Sequence, residues 1–232
     1  MTVLVEMVSD LVCPWCWLGL RRINAAIHEV KDEFDVELIF RPYQLDPAIP
    51  REGVGYKEYM TQKFGGVGKT EKNAQKDRFS QMRELLEQYG AEEGIPFKFS
   101  GIERRPNTID AHRIVRWAQG QGKGMAAKEV LFNAYFNDHE DIGDHDVLVR
   151  LSEKIGLNGP LIKDLLSGEA DIQATMQEEN AFRQLGISGV PTYIANRKVA
   201  AQGAEEVRKL VRFLRTAEKE YPLEQAEDTA PG

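Results

Sequence analysis

Cysteine is nearly absent from this chain: Cys13 and Cys16 are the only two among 232 residues, and histidine occurs four times. A lone Cys-x-x-Cys with no second pair does not supply the four ligands of a structural zinc site. An excess of basic charge is also missing. Lys and Arg number 30 against 37 Asp and Glu, a formal charge of −7, which argues against nucleic acid as a partner because phosphate binding needs a basic face. No apolar run approaches the roughly 18 residues of a membrane-spanning helix, so no membrane partner is expected. The amino terminus passes into an apolar strand without the basic, apolar and small-residue regions of a secretory signal, and the expectation is a cytoplasmic protein. In a reducing compartment two close cysteines are poor structural staples, which leaves catalysis or metal binding as their use.

What is present is a soluble globular composition, 42% hydrophobic and 29% charged, long enough for one or two domains. Val3–Val8 is apolar on both alternating faces except at Glu6, the pattern of a covered central strand. After the cysteines, Leu20, Ile23, Ile27 and Val30 recur at helical spacing, and Val36–Phe40 forms a second strand. Strand, helix and strand within about 40 residues make a βαβ unit with parallel strands. From Gly53 to Leu185 the periodic stretches are helical. One stripe is Phe79, Met82, Leu85, Leu86 and Tyr89; a second is Ala111, Ile114, Val115 and Ala118. A third, Val147, Leu148, Leu151 and Ile155, closes at Gly156. Ile172, Met176, Ala181, Phe182 and Leu185 predict a last helix of the block. Gly65–Gly68 and Gly120–Gly124 read as flexible breaks.

Strand character returns after Val190-Pro191, where Thr192–Ala195 and Lys198–Gln202 flank Asn196-Arg197 as a two-residue hairpin. A final helix carries Glu205 and Glu206 in its first turn, with Val207, Leu210, Val211 and Leu214 on one face. The fold class is therefore α/β, a mixed sheet assembled as βαβ…ββα around an inserted all-helical block. The expected division is residues 1–50 plus 186–221 for the sheet domain and 51–185 for the helical insertion. Residues 222–232 are expected to be a disordered tail.

The chemistry centres on Cys13-Pro14-Trp15-Cys16. Cys13 is placed at a helix amino cap with Pro14 at the first helical position. There the unpaired amides and the helix dipole favour a thiolate. Cys16 falls on the same face three residues on, able to close a disulfide or attack a mixed disulfide at Cys13. Cys13 is thus the candidate nucleophile and Cys16 the resolving thiol. Two inert buried cysteines are the alternative. Asp10 is either a proton acceptor for the buried thiol or a turn residue ending the first strand. Trp15 is expected to be exposed toward substrates and Trp17 to be core. Val190-Pro191, if cis, would hold the Val190 backbone open toward the cysteines. The cluster His139, Glu140, Asp141, Asp144 and His145 is metal-friendly but equally suits loops and caps, and no metal is assigned.

Three blocks, Ser9–Cys16, Pro106–Arg113 and Gly186–Tyr193, resemble the DsbA-like thioredoxin superfamily and, within it, the FrnE-like and 2-hydroxychromene-2-carboxylate isomerase branch. The likeness spans nearly the whole chain. It implies a thioredoxin fold with a helical insertion, Pro191 as the cis-proline facing the pair, and thiol–disulfide exchange with protein or small-molecule substrates. The redox-active pair stands in for a cofactor. Substrate contacts would come from Pro14, Trp15, Val190, Pro191 and Asn107, the last at the mouth of the site or else capping the helix that follows it. Relatives of the isomerase and kappa-class transferase kind usually carry serine where Cys13 stands, and Trp15 replaces a histidine found in the spacer of periplasmic DsbA proteins. Both cysteines together favour dithiol chemistry. The rivals are a glutathione-dependent isomerase or transferase, with glutathione as co-substrate, and a non-catalytic holdase using an apolar cleft.

Overall fold

The computed structural model describes residues 2–64 and 69–223, with side chains outside 64–79. The Gly65–Gly68 break, the Phe79 side chain and the tail beyond residue 223 lie outside the described residues. In chain order the elements are β1 (Thr2–Ser9), α1 (Pro14–Val30), β2 (Asp35–Pro42), β3 (Val54–Gly55), α2 (Tyr56–Phe64), α3 (Lys69–Glu92), β4 (Arg104–Arg105), α4 (Ile109–Gln119) and α5 (Gly124–Phe136). There follow α6 (His145–Lys154), α7 (Gly159–Ser167), α8 (Ile172–Gln184), β5 (Thr192–Ala195), β6 (Val199–Gln202) and α9 (Val207–Glu220). Among the described residues no helix is long and apolar enough to cross a membrane.

The two ends of the chain build one sheet in the order β2-β1-β5-β6. β1 runs parallel to β2, as a βαβ unit requires, and antiparallel to β5. The β5–β6 hairpin turns through Asn196, Arg197 and Lys198, since Ala195 pairs with Val199, one residue more than the expected two-residue connection. Asn196 and Arg197 both lie in the left-handed region, at φ 49° and 58°. Asn196 is more than a turn residue. Its Oδ1 accepts the Leu4 amide at 2.8 Å, and its Nδ2 donates to the carbonyls of Ala217 and Tyr221. The hairpin tip is thereby tied to β1 and to the end of α9. The single charge on β1, Glu6, is only 7% exposed and bonds Arg41 of β2, so both strands keep a satisfied pair there.

The helical block shares its core with the sheet. Buried apolar residues form one continuous cluster that joins Val5, Met7 and Trp17 to Phe97, Phe132 and Leu148. Trp17 stacks on Phe132 at 5.8 Å and meets Phe97 edge-on at 5.5 Å. Within the block Arg113 is fully buried. It reaches Asp110 and the carbonyls of Leu165, Gly168 and Ala170, fastening the α7–α8 connection to α4. A short two-stranded ribbon, β3 with β4, has no period to announce it in the sequence. It depends on Gly53 at φ +73°, where a Cβ would stand 2.9 Å from the Arg105 carbonyl.

Some helical stripes are narrower than their spacing suggests. Leu85 is 40% exposed, Met176 43% and Leu185 74%, because α3 and α8 lie at the periphery with one covered face each. Glu206 stands at the cap position of α9 without a side-chain capping bond, and neither it nor Glu205 lies in the first turn.

One close approach sets the distance between α1 and β5. A Cβ at Gly19 would meet Tyr193 Oη at 2.3 Å and Pro191 Cγ at 2.8 Å. The Tyr193 hydroxyl is buried without a hydrogen-bond partner. Gly19→Ala is therefore expected to destabilise the fold by about 1–3 kcal/mol through overpacking. Tyr193→Phe in the same background should return part of that loss, because it deletes the nearest clashing atom and an unsatisfied hydroxyl. Urea unfolding midpoints of the two variants check both.

Candidate active site

α1 begins where proline can begin it. Pro14 takes the first helical position and Cys13 is the cap residue, extended at φ −98°, ψ 112°. No side chain caps this end, so the first amides point at the Cys13 side of the helix with their dipole uncompensated. The Cys13 carbonyl accepts from the Cys16 amide at 3.0 Å, which closes the first turn and brings both side chains to one face. Both cysteines are free thiols. Cys13 is 4% exposed at the rim and Cys16 is fully buried beneath it. Burial pushes the Cys16 thiol well above its ordinary value, and its hydrogen bond to Cys13 and the charge of Cys13 push it further.

Opposite the pair, the Val190–Pro191 peptide bond is cis. The Cys13 sulfur lies 3.8 Å from the Val190 carbonyl oxygen, a weak thiol hydrogen bond across 177 residues of sequence. Pro191 is covered by α1 at Gly19, and its carbonyl accepts the Gly203 amide at 2.7 Å. The segment that faces the sulfur is thus fixed from both sides.

Asp10 offers itself as a proton acceptor in the sequence, but its carboxylate is engaged elsewhere. Oδ2 accepts the Leu45 amide at 2.8 Å, and Oδ1 faces His112 Nε2 at 3.6 Å, beyond a regular hydrogen bond. Burial acts to raise this carboxyl. His112, the Arg105 charge and the Leu45 amide outweigh it, so the group lies below its usual range. The ionised form is thus favoured by charge and by one amide, while Oδ1 is buried without a hydrogen-bond partner.

A second buried titratable group near the pair is Lys128 of α5, which sequence reading passed over. It is 1% exposed, donates to Ser9 Oγ at 2.8 Å and lies over the Phe132 ring at 4.8 Å. Among the described residues no carboxylate stands within ion-pair distance of it. Burial lowers it to about 8, against the opposing pull of Cys16, Asp10 and Cys13. The signal in the sequence was a single charge on an apolar helical face, since Lys128 shares its stripe with Gly124, Leu131, Phe132 and Tyr135.

Above the sulfur a cavity of about 320 Å³ opens between α1, α2 and α3. Pro14, Trp15 and Val190 line it with Cys13. Trp15 is half-buried, edge-on to Tyr89 at 6.4 Å, and not the exposed indole expected from its position. Asn107 is not brought to this cavity. Its Oδ1 accepts from Gln44 and from the Ile109 amide, both at 3.0 Å, and its Nδ2 donates to the Ile49 carbonyl at 2.6 Å. It shapes the start of α4 and lines a separate cavity near Arg51 and Met176. The His139–His145 cluster is likewise spent on structure. His139 meets the Lys98 carbonyl, Asp144 caps α6, and His145 pairs with Asp110. Among the described residues no three such side chains converge as metal ligands.

A mixed four-stranded sheet, a Cys-x-x-Cys at the first helix terminus and an X-Pro bond facing it define a thioredoxin-like protein. The chain belongs to the DSBA-like thioredoxin domain family, whose profile matches residues 4–215. It is 28% identical over 200 residues to the uncharacterized protein YwbO of Bacillus subtilis (strain 168), covering 84% of this chain and 87% of that one. In structure it is similar to the probable DsbA oxidoreductase SCO1869 from Streptomyces coelicolor, with a TM-score of 0.84, 25% identity and coverage of 99% and 96%. It also shares the fold of a 2-hydroxychromene-2-carboxylate isomerase, with a TM-score of 0.67, 16% identity and coverage of 96% and 100%.

Lys128→Met is expected to slow attack by Cys16 on a mixed disulfide at Cys13 by about tenfold or more at neutral pH, the general-base contribution of a positioned side chain. In the natural chain the rate should climb as pH rises through about 8, where Lys128 loses its proton and becomes able to take one from Cys16. The variant should lose that inflection. Release of thionitrobenzoate from Cys13, followed at 412 nm across pH, measures both. A purely structural lysine would leave the shape of the profile unchanged.

Proposed function

We propose that the chain is a thiol–disulfide oxidoreductase in which Cys13 attacks and Cys16 resolves. The observation that carries this reading is the asymmetry of the pair. One sulfur stands at the rim, 3.8 Å from the Val190 carbonyl. The other is sealed beneath it, next to a lysine with a pKa of about 8. The Cys13 thiolate attacks a substrate disulfide, forming a mixed disulfide and expelling one substrate thiolate. Cys16 gives its proton to neutral Lys128 and, as a thiolate, attacks the Cys13 sulfur, expelling the second substrate thiolate. Two electrons pass from the dithiol to the substrate and the Cys13–Cys16 disulfide forms; run backward, the same steps oxidise a substrate dithiol. The redox pair itself serves as the prosthetic group, and the substrates are protein or small-molecule thiols and disulfides. Family membership and the likeness to a probable DsbA oxidoreductase support this assignment.

A second reading has a specific observation behind it. The cavity beside Cys13 is concave and mostly apolar, a shape suited to a small organic molecule turned over with glutathione. The two readings separate by the need for Cys16, which exchange requires and glutathione-assisted isomerisation does not.

In a glutathione redox buffer the natural chain is expected to form an intramolecular Cys13–Cys16 disulfide. Cys16→Ser should accumulate a glutathione adduct on Cys13, and Cys13→Ser should lose exchange by about a thousandfold or more, as removal of an activated nucleophile does. Mass spectrometry of acid-quenched samples measures all three. If no intramolecular disulfide forms at any glutathione ratio, the exchange reading fails. Turnover of a conjugated organic substrate with glutathione by Cys16→Ser would then favour the second.

A further inference from the structure

The walls of the cavity are apolar and aromatic, with Tyr56, Met60, Met82, Leu86, Phe99 and Phe136 among them. Its volume, about 320 Å³, is roughly twice that of an engineered cavity that holds benzene. The charged side chains that line it are all cationic: Lys63, Arg83 and Arg105. Two of these are accounted for near the surface, Lys63 by Asp46 at 3.5 Å and Arg83 by Glu87 at 3.5 Å.

Arg105 is different. It is 5% exposed and carried on β4. Its guanidinium donates to the Val12 carbonyl at 3.2 Å, stands 5.0 Å from the Tyr59 ring, and is supported by the Asp10 charge and by Tyr135. Its Nε, however, has no hydrogen-bond partner, and no carboxylate of the described residues stands within ion-pair distance. A buried N–H left without an acceptor is costly unless something supplies one. It lies against the residue that immediately precedes Cys13, at the wall of an apolar chamber whose rim is the Cys13 sulfur.

We infer that this chamber binds a small aryl thiol or disulfide carrying a carboxylate, with the carboxylate on Arg105 and the sulfur at Cys13. The inference rests on the exchange reading above and names its substrate class. An aryl ring meets the aromatic walls, and the carboxylate gains charge-assisted hydrogen bonds in a low-dielectric setting where they are strong. An arginine fork suits a carboxylate better than a lysine would. In the reaction the reduced pair and one aryl disulfide give the Cys13–Cys16 disulfide, two aryl thiolates and two protons to solvent.

The test compares two disulfides, 5,5′-dithiobis(2-nitrobenzoate), which carries carboxylates, and 4,4′-dithiodipyridine, which is neutral. Arg105→Gln should slow reduction of the first by about tenfold to a hundredfold, the loss of a hydrogen-bonded charge pair, and of the second by no more than about threefold. Arg105→Lys should recover part of the loss. Because Arg105→Gln also loosens the Val12 contact, the natural chain supplies a second measurement. There 2-naphthoate should bind, read by Trp15 fluorescence, and protect Cys13 from the neutral disulfide, whereas 2-naphthamide should do neither. Equal slowing of both disulfides, or naphthoate and naphthamide acting alike, would overturn the inference while exchange stood. If neither disulfide oxidises the pair, the exchange reading itself has failed, and carboxylate-selective naphthoate binding still decides whether the chamber is an anion site.

Discussion

The ammonium of Lys128 is the constraint on which this architecture turns. A charge buried without a carboxylate partner persists only if other groups hold it. Here they are the Ser9 hydroxyl at the end of β1, the face of Phe132, and the electrostatic pull of two sulfurs and Asp10. These groups come from the sheet, from α5 and from the start of α1. The lysine can be accommodated only when the helical block is seated on the sheet, so the candidate site and the joint between the two parts are one structure. The Trp17–Phe132 stack supplies the apolar side of that joint. The ionic side determines what chemistry can happen there.

The same joint explains why a protein of net charge −7 presents positive charge to its cavity. Overall charge describes the solvated surface, where salt screens separated charges over about 10 Å. At the cavity Lys63, Arg83 and Arg105 face aromatic walls, and of the three Arg105 is the buried one. Arg105 and Lys128 approach the pair from different elements, β4 and α5, and Asp10 lies between as a fixed anion drawing on both. Local placement sets the field at the sulfur. Composition does not.

How much of this could be read from the chain alone follows from the range of the interactions. Cys13 with Pro14, the βαβ opening, the Asn196-Arg197 hairpin and the burial of Trp17 are local rules of capping, period and turn, and each is legible within a few residues. The Val190-Pro191 segment was legible because proline marks itself. Lys128 and Arg105 were not, since a lone cation on a helix or in a two-residue strand reads as a solvated side chain until distant elements cover it. Asn107 was open to two readings, a substrate contact or a cap for the helix that follows; its Oδ1 accepts from Gln44 and from the Ile109 amide at the start of α4, and its Nδ2 donates to Ile49. Leu185 and Met176 followed the helical period and yet stay exposed, because period reports which face could be covered and not whether anything covers it.

On the exchange reading, proton and electron transfer would be coupled through a single buried volume. Cys16, Asp10 and Cys13 act to raise Lys128, and its own desolvation outweighs them. A disulfide would take the two sulfurs out of that balance and leave Asp10 to support the ammonium. Lys128 would then lie lower than in the dithiol, so that closing the disulfide would release lysine proton in addition to those of the thiols. By linkage, a rise in pH would favour the disulfide more steeply than it does for two isolated thiols. The lysine that holds the helical block to the sheet would thus also set how pH bears on the direction of exchange.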